Sequence, residues 1–73
     1  MTKLLQKEVV CNKLIEIRKT NDFTQRDLAR RLSVYQSYIS KVELGQKNLN
    51  IFELKDYLKA LNYSLIEFLN ILD

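Results

Sequence analysis

Apolar residues recur along this chain at helical spacing, and a second, local pattern marks where each helix begins. Val10, Leu14 and Ile17 stack at i, i+4 and i+7 and predict a first helix over about 2–20. Four later segments share one device: an apolar residue, a capping position, and an apolar residue five positions after the first. Phe23-Thr24 with Leu28, Leu49-Asn50 with Leu54, and Tyr63-Ser64 with Phe68 place a hydrophobe ahead of the cap against one a turn inside the helix. The Thr, Asn or Ser oxygen is then positioned to accept from free backbone N–H groups, and Asp27, Glu53 and Glu67 stand where an acid can answer the cap. Val34 with Ile39 repeats the spacing, but Tyr35 occupies the capping place and cannot cap in the same way. Helices are therefore expected over 24–32, 35–43, 50–61 and 64–72. The first should stop near Asn21-Asp22, and the third before Gly45, where the backbone can turn left-handed. The pattern predicts an all-α chain of five helices with short connections, a single domain over 1–73.

Composition narrows the function. With 73 residues, 47% hydrophobic, one Gly and no Pro, the chain should fold but is too short for a two-domain enzyme. A lone Cys11 and no histidine exclude a disulfide framework, Cys/His zinc patterns and His-based catalysis, so no cofactor or metal is expected. The first ten residues carry Lys3, Lys7 and Glu8 in place of a signal peptide's apolar run. A reducing cytoplasm without export is the expectation. Residues 1–47 hold ten Lys/Arg against five acids, whereas residues 48–73 hold two against four. A basic front should face a polyanion, and an acidic, apolar tail should pack against something else.

The front contains two helices, each too short to be stable alone, separated by Ser33-Val34. Leu28, Ala29 and Leu32 should face Val34, Ile39 and Val42, with Ala29 small enough to let the helices approach. That leaves Gln36, Ser37, Ser40, Lys41 and Leu44 on the outer side of the second helix, with Tyr35 at its start. Amides, hydroxyls and a cation in one row are the chemistry that reads base edges and phosphates.

Through Gln25, Leu28-Ala29, Leu32, Val34, the run Gln36-Ser37-Tyr38-Ile39-Ser40-Lys41-Val42-Glu43, Gly45, Leu54, Leu61 and Ser64, the sequence resembles the Xre-type family of phage repressors and Cro-like helix-turn-helix regulators. The resemblance implies a five-helix domain of the lambda-repressor type that binds double-stranded DNA as a symmetric dimer on a palindromic operator. It further implies that Gln36, Ser37 and Lys41 read bases, with Ser40 beside them. Gln25 would touch phosphate at the start of the preceding helix, and Tyr38 and Lys47 would flank it. It also implies an internal ion pair between Arg18 and Glu43. Three positions depart from the family: Ser33 for a turn glycine, Tyr35 for a Ser or Thr cap, and Leu44 for a polar phosphate contact. Among the remaining residues, Arg26 is the arginine nearest a helix start and a candidate phosphate contact, ahead of Arg30 and Arg31. Cys11 and Tyr57 read as core.

In the last helix, apolar residues cover well over half the circumference, where a surface helix needs a stripe of ~100°. Leu65, Phe68 and Leu72 can face the core, which leaves Ile66, Leu69 and Ile71 as candidates for a homodimer interface. The expected function is a sequence-specific transcription regulator, within which phage repressor, restriction-modification controller and antitoxin remain open. The alternative is a protein-binding module that sequesters another regulator through the apolar last helix.

Overall fold

The computed structural model describes residues 7–72, which form five α-helices and, among the described residues, no strand. They are α1 (Lys7–Thr20), α2 (Gln25–Leu32), α3 (Gln36–Glu43), α4 (Ile51–Ala60) and α5 (Leu65–Leu72). The expected start of α1 at residue 2 lies outside the described residues. The other expected ranges began at the capping residue, one position ahead of each helix, and the fourth also took in Leu61, which closes α4.

The caps explain the starts. Thr24 Oγ1 accepts from the Asp27 N–H at 3.0 Å while the Asp27 carboxylate accepts from the Thr24 N–H at 2.9 Å. Asn50 and Glu53 exchange the same pair of bonds at 2.8 and 3.0 Å. These bonds, with the backbone N–H the chief cause in each, hold both carboxyls below the usual carboxylate range. Ser64 accepts from the Glu67 N–H at 3.0 Å. Tyr35 makes no side-chain cap, so α3 depends on packing more than the other helices do.

The ends of α1 to α4 share one geometry. Asp22, Ser33, Gly45 and Asn62 have φ of 59°, 58°, 77° and 59°. In each case that residue's N–H returns to the carbonyl three back and the next N–H to the carbonyl five back: Phe23 to Arg18, Val34 to Ala29, Gln46 to Lys41 and Tyr63 to Leu58. At three of these corners the residue after the left-handed one is apolar and also precedes the next helix's first cap. Phe23, Val34 and Tyr63 thus close one helix and open another with a single half-buried side chain. Two side chains reinforce the corners. The Asn21 amide donates to the Ile17 and Leu61 carbonyls, and the Arg31 guanidinium donates to the Ala60 carbonyl at 2.7 Å while lying over the Phe23 ring.

The core collects Leu14 from α1, Leu28 and Ala29 from α2, Ile39 and Val42 from α3, Tyr57 and Leu58 from α4, Leu61 just beyond it, and Phe68 and Leu72 from α5. Full burial of each large aliphatic or aromatic side chain contributes about 1.5–3 kcal/mol. Helix α2 packs on α3 and α4, α1 on α3, and α4 on α5. Leu32 and Val34, expected in the α2–α3 seam, are only half-buried there. Cys11 is a core thiol: its Sγ donates to the Val42 carbonyl at 3.2 Å, and burial pushes it up from the ordinary thiol range. Among the described residues, no helix is long and apolar enough to cross a membrane.

Two predictions concern stability. Ser33 places a Cβ in left-handed backbone, so Ser33→Gly should raise the urea unfolding midpoint by the equivalent of about 0.5–1 kcal/mol, net of glycine's extra freedom in the unfolded chain. Tyr57 is buried, and among the described residues its hydroxyl has no hydrogen-bond partner. Burial, reinforced by the Glu43 carboxylate, pushes its phenol well above the usual tyrosine range. The fold therefore holds the neutral form, and that contribution is complete below the unfolded-state pKa of about 10 and lost as pH climbs past it. Tyr57→Phe should be neutral to stabilising by up to about 1 kcal/mol near pH 7 and should lessen the alkaline loss of stability, read by urea titrations at pH 7 and 10.5.

Candidate nucleic-acid interface

Two helices and the turn between them build the candidate surface. Ile39 and Val42 anchor α3 from beneath at 0% and 2% exposure, and Leu28 and Ala29 anchor α2 beside it. With one face of an eight-residue helix consumed in this way, the opposite face is fixed by geometry. It presents Gln36, Ser37 and Lys41 to solvent, with Tyr35 87% exposed at the start and Leu44 68% exposed at the end. Ser40 was expected in the same outer row but is only half-buried at its margin. Tyr38 is half-buried as well, packed on the core with the Lys47 ammonium 5.9 Å from its ring centre. Burial, then the Glu53 carboxylate, pushes the Tyr38 phenol upward, so it meets any ligand as a neutral hydroxyl.

Gln25, the first residue of α2, is placed against the first residue of α3. Its side-chain oxygen lies 3.5 Å from Gln36 Nε2, and its amide donates to Glu43 Oε1 at 2.9 Å. Glu43 in turn is held by Arg18, through Nε to Oε2 at 2.6 Å and Nη2 to Oε1 at 3.2 Å, while Arg18 Nη1 donates to the Phe23 carbonyl at 2.7 Å. The side chains of Arg18 and Glu43 are 10% and 6% exposed, so little water competes for the pair.

The cations divide into free and engaged. Arg26 and Lys41 are exposed and, among the described residues, carry no ion pair. Arg30 is exposed too, whereas Arg31 is committed to the end of α4. Lys47, expected to flank the phosphate contact, instead leans on Glu53 Oε2 at 3.4 Å and the Asn48 carbonyl at 3.3 Å, because Glu53 at the start of α4 already holds a negative charge within reach. Its charge is partly answered before any ligand arrives.

On α5, Phe68 and Leu72 are buried and Leu65 half-buried, while Ile66, Leu69 and Ile71 are 73%, 43% and 42% exposed. Two further exposed apolar residues, Ile51 and Phe52, open α4. Phe52 falls outside the stripe of Leu54, Tyr57, Leu58 and Leu61, a periodicity that could have marked it as outward-facing, whereas Ile51 is in step with Leu54 and Leu58 and period alone would bury it. The link from Glu43 through Gln25 to Gln36 also escapes pattern reading, because it joins positions 18 and 11 residues apart through side-chain rotamers.

A helix-turn-helix family model matches residues 14–68, from the middle of α1 into α5. Among solved structures, the crystal structure of the wild-type restriction-modification controller protein C.Esp1396I is similar to this chain with a TM-score of 0.83 and 32% identity over 90% of this chain and 85% of that one. The same controller protein, as a tetramer in complex with its natural 35 base-pair operator, gives 0.83 and 32% over 90% and 87%. A point mutant of it gives 0.84 and 32% over 90% and 88%. No curated protein matches. The buried α2–α3 seam, the left-handed turn at Ser33 and the family match across most of its length come to one conclusion: the chain belongs to the Xre-type helix-turn-helix family, which consists of DNA-binding transcription regulators and not of enzymes.

Proposed function

We propose that this protein regulates transcription by binding a palindromic operator as a homodimer, with α3 of each copy in the major groove, and that it is a restriction-modification controller. The observation that carries this reading is the exposed row of Gln36, Ser37 and Lys41 on a helix whose other face is locked into the core. Amide, hydroxyl and ammonium groups at that spacing offer donors and acceptors to base edges. Arg26 and the first N–H groups of α2 supply backbone contacts beside them. Tyr35, Tyr38, Ser40 and Lys47 border the row, and Gln25 reaches it through Gln36. The similar controller protein in complex with its natural operator supports the reading that this chain binds operator DNA.

Affinity arithmetic supports two copies. Each good bidentate base contact discriminates by only ~1–3 kcal/mol, so one α3 cannot single out a site in a genome. A symmetric pair doubles the readout and places two α3 helices about 34 Å apart along the duplex. Ile66 and Leu69 share one exposed side of α5 on which such a pair would close, with Ile71 exposed on the other flank of the buried stripe.

Two outcomes follow. In fluorescence anisotropy against palindromes from its own promoter region, Gln36→Ala with Lys41→Ala should weaken operator binding by about 100-fold or more and leave the helical circular dichroism unchanged. Salt dependence should also fall if Lys41 touches phosphate. Equal, weak binding of the wild type to every duplex would overturn the proposal in favour of a partner-protein module. Ile66→Glu should convert a dimer to a monomer in sedimentation velocity and weaken operator binding at least tenfold, whereas a wild type that is monomeric at tens of micromolar would remove α5 as the interface.

A further inference from the structure

We propose that Glu53 withholds Lys47 from DNA: its carboxylate competes with phosphate for the lysine ammonium, so that Lys47 adds no backbone contact while Glu53 is in place; this rests on the DNA-binding reading above. Lys47 lies in the connection between α3 and α4, and Glu53 in the first turn of α4. Nζ and Oε2 are 3.4 Å apart, and the two side chains are 37% and 35% exposed. A pair so exposed, standing alone, would hold weakly. This one does not stand alone. The ammonium also donates to the Asn48 carbonyl at 3.3 Å and lies 5.9 Å from the centre of the Tyr38 ring. A carboxylate, a carbonyl and an aromatic ring thus converge on one cation. The Lys47 side chain also lines a cleft with Val10, Leu14, Leu49 and Leu54, which covers its apolar stem.

The two oxygens of Glu53 have separate partners. Oε1 accepts from the Asn50 N–H at 3.0 Å while the Glu53 N–H donates to Asn50 Oδ1 at 2.8 Å, and this exchange fixes the carboxylate to the start of α4. Oε2 is left for Lys47. The Asn50 N–H, more than any other group, holds the carboxyl below the usual carboxylate range, so the competitor is ionised at neutral pH. A charge tied to a helix start cannot follow a lysine that swings outward. A Lys47 that reached for phosphate would leave Glu53 unpaired before the same polyanion, and the gain at one charge would be offset at the other. Arg26 and Lys41, exposed and without an ion pair among the described residues, face no such exchange.

The test measures binding of the full chain by fluorescence anisotropy over a range of salt concentrations. Its probes are a mixed-sequence duplex and the highest-affinity duplex that the wild type selects from a randomised library. The wild type is compared with Lys47→Met, Glu53→Gln and the double variant. Methionine keeps the length of the stem, and glutamine keeps the cap because its carbonyl oxygen can accept from the Asn50 N–H. Loss of any carboxylate strengthens attraction to DNA, so the decisive quantity is what Lys47→Met does in each background. With Glu53 present it should change affinity by less than about twofold and leave the slope of log K against log salt unaltered. In the Glu53→Gln background it should weaken both duplexes by about threefold or more at about 0.1 M salt and reduce the slope by about 0.9, as for one phosphate contact. An equal loss in both backgrounds would overturn the proposal, because Lys47 would then leave Glu53 freely. No loss in either would overturn it as well, by placing Lys47 beyond the reach of phosphate. If Glu53→Gln does not fold, Glu53→Ala, which retains the Asn50 half of the cap, takes its place. A wild type that binds every duplex weakly and without salt dependence would overturn the DNA-binding reading itself, and the role of Glu53 with it.

Discussion

Arg18 and Glu43 form the polar centre on which the arrangement of the first three helices depends. Arg18 stands near the end of α1 and Glu43 at the end of α3, and their contact at 2.6 Å is nearly closed to solvent. Burying two charges costs several kcal/mol per ion, and the deficit is offset only when the remaining donors and acceptors find partners. Here they do: the guanidinium also donates to the Phe23 carbonyl in the α1–α2 turn, and the carboxylate also accepts from Gln25 on α2. One ion pair therefore sets α1, α2 and α3 in register. Removing either partner would strand the other charge in a nearly dry site, a loss of about 3–5 kcal/mol that a chain of this length can barely survive.

The corners answer a second constraint, that little chain is available for connections. Four helices end on a left-handed residue, and only one of the four is glycine. Asp22 and Asn62 tolerate that backbone because a short polar side chain can bond locally, while Ser33 does so at greater cost. In return, the connection between α2 and α3 is kept to three residues, Ser33, Val34 and Tyr35, which fixes the angle at which α3 leaves α2. The row of Gln36, Ser37 and Lys41 is aimed by that angle and by the burial of Ile39 and Val42. Strain at Ser33 and the missing cap at Tyr35 both fall beside the proposed reading surface, where stability and presentation of side chains compete.

Much of this was legible from residue order. Caps and hydrophobic spacing are local, and they located α2, α4 and α5 to within a residue because Thr24, Asn50 and Ser64 announce themselves. Left-handed backbone is legible near Asn21-Asp22 and at Gly45, and at Ser33 through the turn glycine of the family it resembles, whereas Asn62 is masked because the apolar stripe of α4 runs on into Leu61. The outer face of α3 was legible because Ile39 and Val42 fix the inner one, with Ser40 lying closer to the boundary than period alone suggests. The direction of long side chains was not legible. Lys47 had Glu53 within reach only once α4 folded back, and Gln25 had Glu43 only once α3 packed across α2. Such contacts depend on tertiary geometry, so a sequence reading could assign Gln25 and Lys47 to phosphate but not see the competing carboxylates.

Those carboxylates bear on how the proposed surface would distinguish one duplex from another. A free lysine attracts phosphate irrespective of sequence, and its contribution falls with salt. Lys47 turned onto Glu53 reduces that indiscriminate attraction, whereas Arg31, bonded to the neutral Ala60 carbonyl, keeps its charge, so Arg26, Arg30, Arg31 and Lys41 are the exposed cations of the α2–α3 unit. The ratio between operator and bulk DNA, more than absolute affinity, decides occupancy in a cell, so each cation answered by a carboxylate favours selectivity over strength. The proposed dimer works in the same direction. Pairing on α5 adds base readers and phosphate contacts only where two half-sites stand one helical turn apart, so the exposed Ile66 and Leu69 would contribute selectivity although neither of them touches DNA.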